Sequence, residues 1–141
     1  TQEKAGIDAD LAVCCAILHD TREDTGTSER ELVEKFGVRV ARGVEALTKR
    51  NFVSTSLSKK KRKKLAMEDS LGRIQQQPRE VWMVKMADRI VNLQPPPSGW
   101  DSEKIEAYYH ESVIILERLR TASVYLERRL EDKVNNYFQW V

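Results

Sequence analysis

The sequence predicts an all-α fold, and three observations support this prediction. Apolar residues recur at helical spacing along most of the chain, few stretches alternate as strands do, and only six glycines occur among 141 residues. Hydrophobic residues make up 40% of the chain, which suits one core. We therefore expect residues 1–141 to form a single helical domain.

Capping signals define the helices of the first half of the chain. Asp8 or Asp10 can cap a first helix, which we expect to end near His19. Ser28 and Glu31 form a capping box for a short second helix, and the glycine that follows it should end that helix. The further predictions are helices over 29–36 and 38–47, a loop at Asn51–Ser56, and a helix that starts with the basic run and stops before Pro78.

Proline and capping residues divide the second half in the same way. A helix should begin near Arg79, and the proline-rich segment 95–100 should form an extended connector. Asp101 or Ser102 can cap a long helix through Leu119, and the last helix should start near Ser123. The positions expected to face inward are Val40, Val44, Leu47; Leu65, Met67, Leu71; Val81, Val84, Met86, Ile90, Leu93; Ile105, Tyr108, Val113, Leu116, Leu119; and Val124, Leu126, Leu130, Val134, Phe138.

Composition and charge exclude several classes of protein. No apolar stretch approaches the roughly 18 residues that a membrane span needs, and no leader peptide opens the chain, so we expect a cytoplasmic protein without a membrane partner. Cys14 and Cys15 are sequence neighbours and are poorly placed to bridge, so both are interpreted as core residues. The net charge is only +2, yet Lys59–Lys64 contributes six cations, so the basicity is local.

A histidine and several carboxylates point to hydrolytic metal chemistry. His19 and Asp20 offer an imidazole and a carboxylate together, a donor set that suits Mn²⁺, Fe²⁺ or Zn²⁺. Neighbouring side chains point about 100° apart on a helix, so we expect both to reach one ion only near a helix end or bend. Asp88, from a separate buried helix, can close the coordination, while Glu23 and Asp24 are placed to handle the protons of a water molecule.

The candidate histidines and aspartates also have purely structural interpretations. A histidine next to an aspartate is by itself a weak signal, since hydrogen bonds at a helix end explain it equally well. Asp88 can form a buried ion pair with Arg89 or Lys85, and such neighbours can also orient a metal ligand. His110 fits an exposed helical position and is not counted among the ligands.

Together these residues resemble a known family. The matching pattern is His19-Asp20-Thr21-x-Glu23-Asp24-Thr25, Glu31-Leu32, Phe36-Gly37, Val44, Leu47-Thr48-Lys49 and Lys85-Met86-Ala87-Asp88-Arg89-x-x-Asn92-Leu93. It resembles the HD-domain hydrolases of the RelA/SpoT type and spans nearly the whole chain. In size the chain is similar to the small stand-alone members, including the metazoan form. The resemblance implies an all-α HD-domain helical bundle.

The resemblance also implies a reaction and a set of roles. The implied reaction removes pyrophosphate from the 3′ position of guanosine tetra- or pentaphosphate, (p)ppGpp, with a divalent ion, usually Mn²⁺, that activates water. A guanine nucleotide is therefore the implied partner. The implied roles are metal ligation by His19, Asp20 and Asp88, water positioning by Glu23 and Asp24, and substrate binding by Asn92, with Lys49 and Arg89 added to the substrate-binding set.

The chain departs from the family pattern in two places. The family has a further histidine ligand upstream of the His-Asp pair, but none of the eighteen residues before His19 is histidine. We therefore expect that this sequence lacks the N-terminal helices of the family. Pro95 stands where the family often has a threonine that contacts the substrate, which affects substrate identity more than reaction class.

Two alternative functions remain open at this stage. HD centres serve several phosphoesters, so the substrate could be another nucleotide. The chain could also be a non-catalytic module that binds nucleic acid or an acidic protein through Lys59–Lys64. Six consecutive cations wrap around a helix instead of forming one stripe, so no nucleic-acid partner is expected. A homo-oligomer is left open.

Overall fold

The computed structural model describes residues 6–48, 50 and 58–141, without the side chains of residues 21–25. All regular secondary structure in these ranges is helical, which confirms the predicted all-α fold. The predicted loop at Asn51–Ser56 lies outside the described residues. The helices are α1 (Ala9–Thr25), α2 (Glu29–Phe36), α3 (Val38–Leu47), α4 (Lys59–Gln75), α5 (Arg79–Asn92), α6 (Ser102–Leu119) and α7 (Val124–Tyr137), with 3₁₀ turns at Arg120–Ala122 and Phe138–Trp140.

Two compact units divide the chain, one over residues 1–82 and the other over residues 83–141, and the boundary falls within α5. The single domain over residues 1–141 stays a prediction. None of the described helices has the length and apolar character needed to cross a bilayer.

Asp8 caps the helix that carries the candidate metal ligands. Its Oδ1 accepts a hydrogen bond from the Leu11 amide at 3.0 Å, and its Oδ2 accepts one from Arg39 at 2.9 Å. The Leu11 amide, and after it Arg39, lower the pKa of the Asp8 carboxyl. The predicted helix end near His19 is wrong, because α1 continues to Thr25. No glycine or proline interrupts it before Gly26, whose φ of +67° is a backbone conformation that ends helices.

Helices α2 and α3 follow the predicted signals closely. The Ser28 hydroxyl accepts a hydrogen bond from the Glu31 amide at 3.2 Å, and Gly37 takes a φ of +91° between the two helices. The inner face of α3 is buried as predicted, at Val40, Val44 and Leu47.

Gly43 marks the closest approach between α3 and α1. A Cβ atom at this position would lie 2.5 Å from Cys15 Sγ and 3.1 Å from Val81 Cγ2. Both neighbours are fully buried, so neither can move aside freely. A glycine at position 43 is therefore what allows α1 to lie against α3.

Helix α4 begins with the basic run and buries a different stripe from the one predicted. Ser58 caps it by accepting a hydrogen bond from the Lys61 amide at 3.2 Å. Met67 and Leu71 are buried as predicted, but the prediction for Leu65 is wrong, since this residue is 44% exposed. Ile74 continues the buried stripe, whereas Leu65 lies two positions before Met67 and so faces another side of the helix.

In the unit over residues 83–141, Asp101, one of the two predicted candidates, caps α6. Helix α7 begins at Val124, close to the predicted start near Ser123, and Ser123 caps it. The apolar positions predicted for α5 are all buried. The predictions for Val124 and Phe138 are wrong, because these residues are 56% and 59% exposed. Phe138 begins a 3₁₀ turn, and Tyr137 takes the inward position three residues after Val134.

The Cys15 thiol should resist modification in the native protein. Burial raises its pKa to about 11, and Cys14 adds to the shift. Below that pH the thiol stays neutral and unreactive. The stability that comes from burying it is complete below its unfolded pKa near 9.0 and is lost as the pH rises toward 11. In a Cys14→Ala variant at pH 8, a disulfide reagent should modify Cys15 only after denaturant is added, and rapid native modification would contradict this expectation.

Candidate metal and nucleotide site

His19 lies on α1 with both ring nitrogens engaged. Its side chain is only 12% exposed. Nδ1 lies 3.1 Å from the Cys15 carbonyl oxygen. Because a carbonyl oxygen can only accept, Nδ1 carries the hydrogen, and the neutral ring then has a lone pair on Nε2. This is the arrangement of a metal-binding histidine, whose second nitrogen donates to a carbonyl or carboxylate oxygen.

The neighbouring carboxylate completes a pair of donor atoms. His19 Nε2 lies 3.1 Å from Asp20 Oδ1, and the Asp20 side chain is 68% exposed. This separation is a hydrogen-bond distance, and it is also compatible with two ligands of one metal ion. Adjacent ligands of an octahedral ion at about 2.1 Å are about 3 Å apart. The donor atoms therefore fit a divalent cation that is reached from solvent.

The pair forms in the middle of a helix. We expect His19 and Asp20 to reach one ion only near a helix end or bend, and α1 ends at Thr25, five residues beyond Asp20. Their binding of one ion stays a prediction. Their Cα–Cβ bonds diverge around the helix axis, but the outer atoms of both side chains still approach each other. Side-chain length compensates for the divergence.

Glu23 and Asp24 lie one helical turn after the pair. Since α1 continues through Thr25, its backbone places them four residues after His19 and Asp20, on the same side of the helix. Their side chains lie outside the described residues, as does all of Lys49. Their roles stay predictions.

Asp88 lies in the middle of α5 and is half-buried. Its charge is one of several that act on Tyr108, whose pKa is raised first by burial and then by Glu111 and Asp88, against the opposing effect of Arg89. Within the ranges that the structure describes, no three histidine, cysteine, aspartate or glutamate side chains form a group arranged for a metal ion. Metal ligation by His19, Asp20 and Asp88 stays a prediction.

Arg89 is the hub of a polar network in the unit over residues 83–141. Its guanidinium donates to the Ser112 hydroxyl at 3.3 Å and lies 3.6 Å from the Glu111 carboxylate. The same group stacks over the Tyr108 ring, 4.3 Å from the centroid. The residue is only 6% exposed. Arg89 therefore holds Tyr108 in place, and its predicted contact with substrate stays a prediction.

An Arg89→Lys substitution should lower the free energy of unfolding by about 1–2 kcal/mol. Lysine keeps the positive charge but lacks the planar fork that meets Ser112 and Glu111 together. Urea unfolding followed by circular dichroism would measure the change. The matched control is Arg128→Lys at an exposed position of α7. Equal stability of the two variants would contradict the role of the network.

A cavity of about 320 Å³ lies beside the end of α5. Its walls are three aromatic residues, three prolines at 95–97, and the amide residues Asn92 and Gln94. The aromatic residues are Trp100, Tyr108 and Tyr137, and they touch edge to face. The exposed position of Asn92 at this cavity makes it available to a ligand.

Sequence reasoning missed most of this cavity. It interpreted the proline-rich segment 95–100 as an extended connector and placed Tyr108 in the core. A partial signal was available, since three stiff prolines begin three residues after the predicted substrate residue Asn92 and a tryptophan lies three residues beyond the last of them. Nothing in the sequence around Tyr137 indicated that this residue lines the cavity.

Comparison with known proteins identifies the family. The sequence pattern of the HD domain matches residues 2–93, which is more than half of the chain. The chain belongs to the HD-domain family. This HD-domain protein is thus a hydrolase of a metal-dependent type, and the resemblance predicted from its sequence is confirmed.

Two individual proteins and one solved structure are similar to this chain over most of its length. This HD-domain protein is 31% identical over 132 residues to guanosine-3′,5′-bis(diphosphate) 3′-pyrophosphohydrolase MESH1 of Xenopus tropicalis, covering 91% of this chain and 69% of that protein. It is 30% identical over 143 residues to MESH1 of Homo sapiens, covering 96% and 72%. A solved structure, described as a metazoan orthologue of SpoT that hydrolyses ppGpp, superposes with a TM-score of 0.71 at 27% identity, covering 94% of this chain and 72% of that one. The predicted HD-domain bundle is confirmed.

Proposed function

We propose that this HD-domain protein hydrolyses guanosine 3′,5′-bis(diphosphate) and releases pyrophosphate from the 3′ position. We also propose that residues 1–141 act as one HD domain, and that the protein works in the cytoplasm, where guanine nucleotides occur. The observation that carries the proposal is the His19–Asp20 pair, with Nε2 and Oδ1 3.1 Å apart and Nδ1 held by a backbone carbonyl. Similarity to MESH1 proteins over about nine-tenths of the chain supports the choice of substrate.

His19, Asp20 and Asp88 are the proposed ligands of a divalent ion, with Mn²⁺ as the proposed metal. One imidazole and two carboxylates suit a transition metal better than Mg²⁺, which prefers oxygen ligands. When bound, such an ion makes water more acidic and neutralises charge on a phosphoryl oxygen. The exposed carboxylate of Asp20 leaves this side of the pair open to substrate.

Glu23 and Asp24 are the proposed proton handlers. One of them takes a proton from the attacking water as its oxygen bonds to the phosphorus next to ribose O3′. The bond between that phosphorus and O3′ breaks, and O3′ takes up a proton. The products are GDP and pyrophosphate, or GTP and pyrophosphate from the pentaphosphate.

The nucleotide itself is proposed to occupy the cavity beside Asn92. The Asn92 side chain offers both a donor and an acceptor there, and the aromatic walls suit a planar base. Arg89 contributes by holding Tyr108, which forms part of the wall. Lys49 is proposed to meet the phosphates.

A direct assay tests the proposal. Guanosine tetraphosphate is incubated with the protein and Mn²⁺, and the release of pyrophosphate and GDP is followed. Equimolar release that stops when a chelator is added and returns with excess Mn²⁺ is expected. Absence of pyrophosphate, or release of orthophosphate in its place, would contradict the proposed reaction.

A further inference from the structure

Tyr137 presents an unusual hydroxyl group. The residue is only 2% exposed, and its hydroxyl has no hydrogen-bond partner within the part of the chain that the structure describes. Leaving a buried hydroxyl unpaired has a cost, and folded proteins rarely do so. An unpaired buried group of this kind commonly awaits a water molecule or a ligand.

The residue also forms part of the cavity beside Asn92. Its ring meets the Tyr108 ring edge to face, with centroids 5.8 Å apart, and Tyr108 in turn meets Trp100 at 5.3 Å. Burial, followed by the nearby Tyr108, raises the pKa of Tyr137 despite the opposing charge of Arg89. The hydroxyl therefore keeps its proton and can donate as well as accept.

The walls of the cavity indicate which part of a nucleotide it suits. None of the described residues that line it carries a charge, so a phosphate group has no counter-charge there. Aromatic rings and prolines instead offer flat apolar surfaces, which suit a heteroaromatic base. The volume of about 320 Å³ lies near the lower end of the roughly 300–1,000 Å³ found for small-molecule sites.

We propose that Tyr137 is a specificity-determining residue that recognises the purine base of the bound nucleotide, with its buried hydroxyl hydrogen-bonded to a polar atom on the edge of the base. This inference rests on the proposed function for the identity of the nucleotide. It assigns a role to a residue of α7, far along the chain from the HD motif residues His19, Asp20 and Asp88.

A single-atom substitution separates this role from a packing role. Tyr137→Phe removes only the hydroxyl, so it should weaken guanosine binding about 5- to 10-fold and raise the KM for guanosine tetraphosphate by a similar factor, with kcat nearly unchanged. The same variant should melt about 3 °C higher without ligand, because an unpaired buried hydroxyl is lost. A higher melting temperature together with weaker guanosine binding would indicate that the Tyr137 hydroxyl serves ligand binding and does not stabilise the fold.

Binding is measured with guanosine in the presence of a chelator, through the fluorescence of the cavity residue Trp100 in a variant with Trp82 and Trp140 replaced by phenylalanine. Tyr125→Phe, at an exposed site on the same helix, is the matched control and should leave guanosine binding unchanged. Ribose 5-phosphate should bind equally to the Tyr137→Phe variant and the unsubstituted protein.

Each contrary result overturns the inference. The inference is wrong if Tyr137→Phe binds guanosine as well as the unsubstituted protein, or if guanosine does not bind at all. It is also wrong if the variant has a lower melting temperature, which would indicate a structural or water-mediated role. Loss of guanosine tetraphosphate hydrolysis alone would not, because the binding experiment contains no metal and no phosphate. The two proposals can therefore fail separately.

Discussion

Replacing Asp20 with asparagine is expected to lower kcat for pyrophosphate release by about 1,000-fold or more. The amide has nearly the same shape as the carboxylate, but it carries no charge and is a poorer partner for the cation that His19 Nε2 and Asp20 Oδ1 are spaced to hold. A bound metal ion contributes several kcal/mol to the stabilisation of a phosphoryl transition state, and about 4 kcal/mol corresponds to that factor. Initial rates at saturating substrate and Mn²⁺ would measure the loss.

The matched control changes the same chemical group on the same helix. Asp10→Asn, at an exposed position in the first turn of α1, should leave kcat within about twofold of the unsubstituted protein. Glu23→Gln should lower kcat by about 100-fold without weakening Mn²⁺ binding, because its proposed role is to accept a proton. If Asp20→Asn retained full activity, the pair on α1 would not be the metal site.

Gly43→Ala is expected to be among the most destabilising small substitutions in the protein. The added methyl group would lie 2.5 Å from Cys15 Sγ and 3.1 Å from Val81 Cγ2, both fully buried. Overpacking of this kind costs about 3 kcal/mol of unfolding free energy, which exceeds the gain of about 1 kcal/mol from the higher helix propensity of alanine. Because α1 carries His19 four residues after Cys15, Mn²⁺ affinity should fall as well.

A second substitution should reverse much of this loss. Cys15→Ala removes the sulfur atom and leaves its Cβ 3.9 Å from the new methyl group, an ordinary contact distance. The Gly43→Ala/Cys15→Ala double variant should therefore be more stable than Gly43→Ala alone, as measured by the midpoint of urea unfolding. If the two substitutions destabilised additively, the close contact between α1 and α3 would not be the cause.

Helix ends were predictable wherever one short-range signal determines them. Ser28 and Asp101 cap their helices through a side-chain oxygen three residues before the amide it meets, a spacing that is visible in the sequence. The predicted end of α1 near His19 was wrong because no helix-breaking residue occurs before Gly26, so the helix continues past the His-Asp pair to Thr25. Exposed Leu65 and Phe138 show that hydrophobicity alone does not determine which face is buried.

The chemistry of the site was more predictable than its surroundings. His19 and Asp20 are neighbours in the sequence, so their closeness depends on one helix alone, and their outer atoms do lie 3.1 Å apart. The cavity depends on tertiary contacts among α5, the proline-rich segment, α6 and α7, which no local pattern reveals. Tyr137 is an example, because it lies 45 residues after Asn92 and yet lines the same cavity.

The central claim is that His19, Asp20 and Asp88 bind one divalent ion. A crystal grown with Mn²⁺, and measured for anomalous scattering at the manganese edge, tests this claim most directly. We expect one strong peak on α1, bonded to His19 Nε2 and to carboxylate oxygens of Asp20 and Asp88. A peak that leaves out any of these three side chains, or no peak near His19 at saturating Mn²⁺, would contradict it.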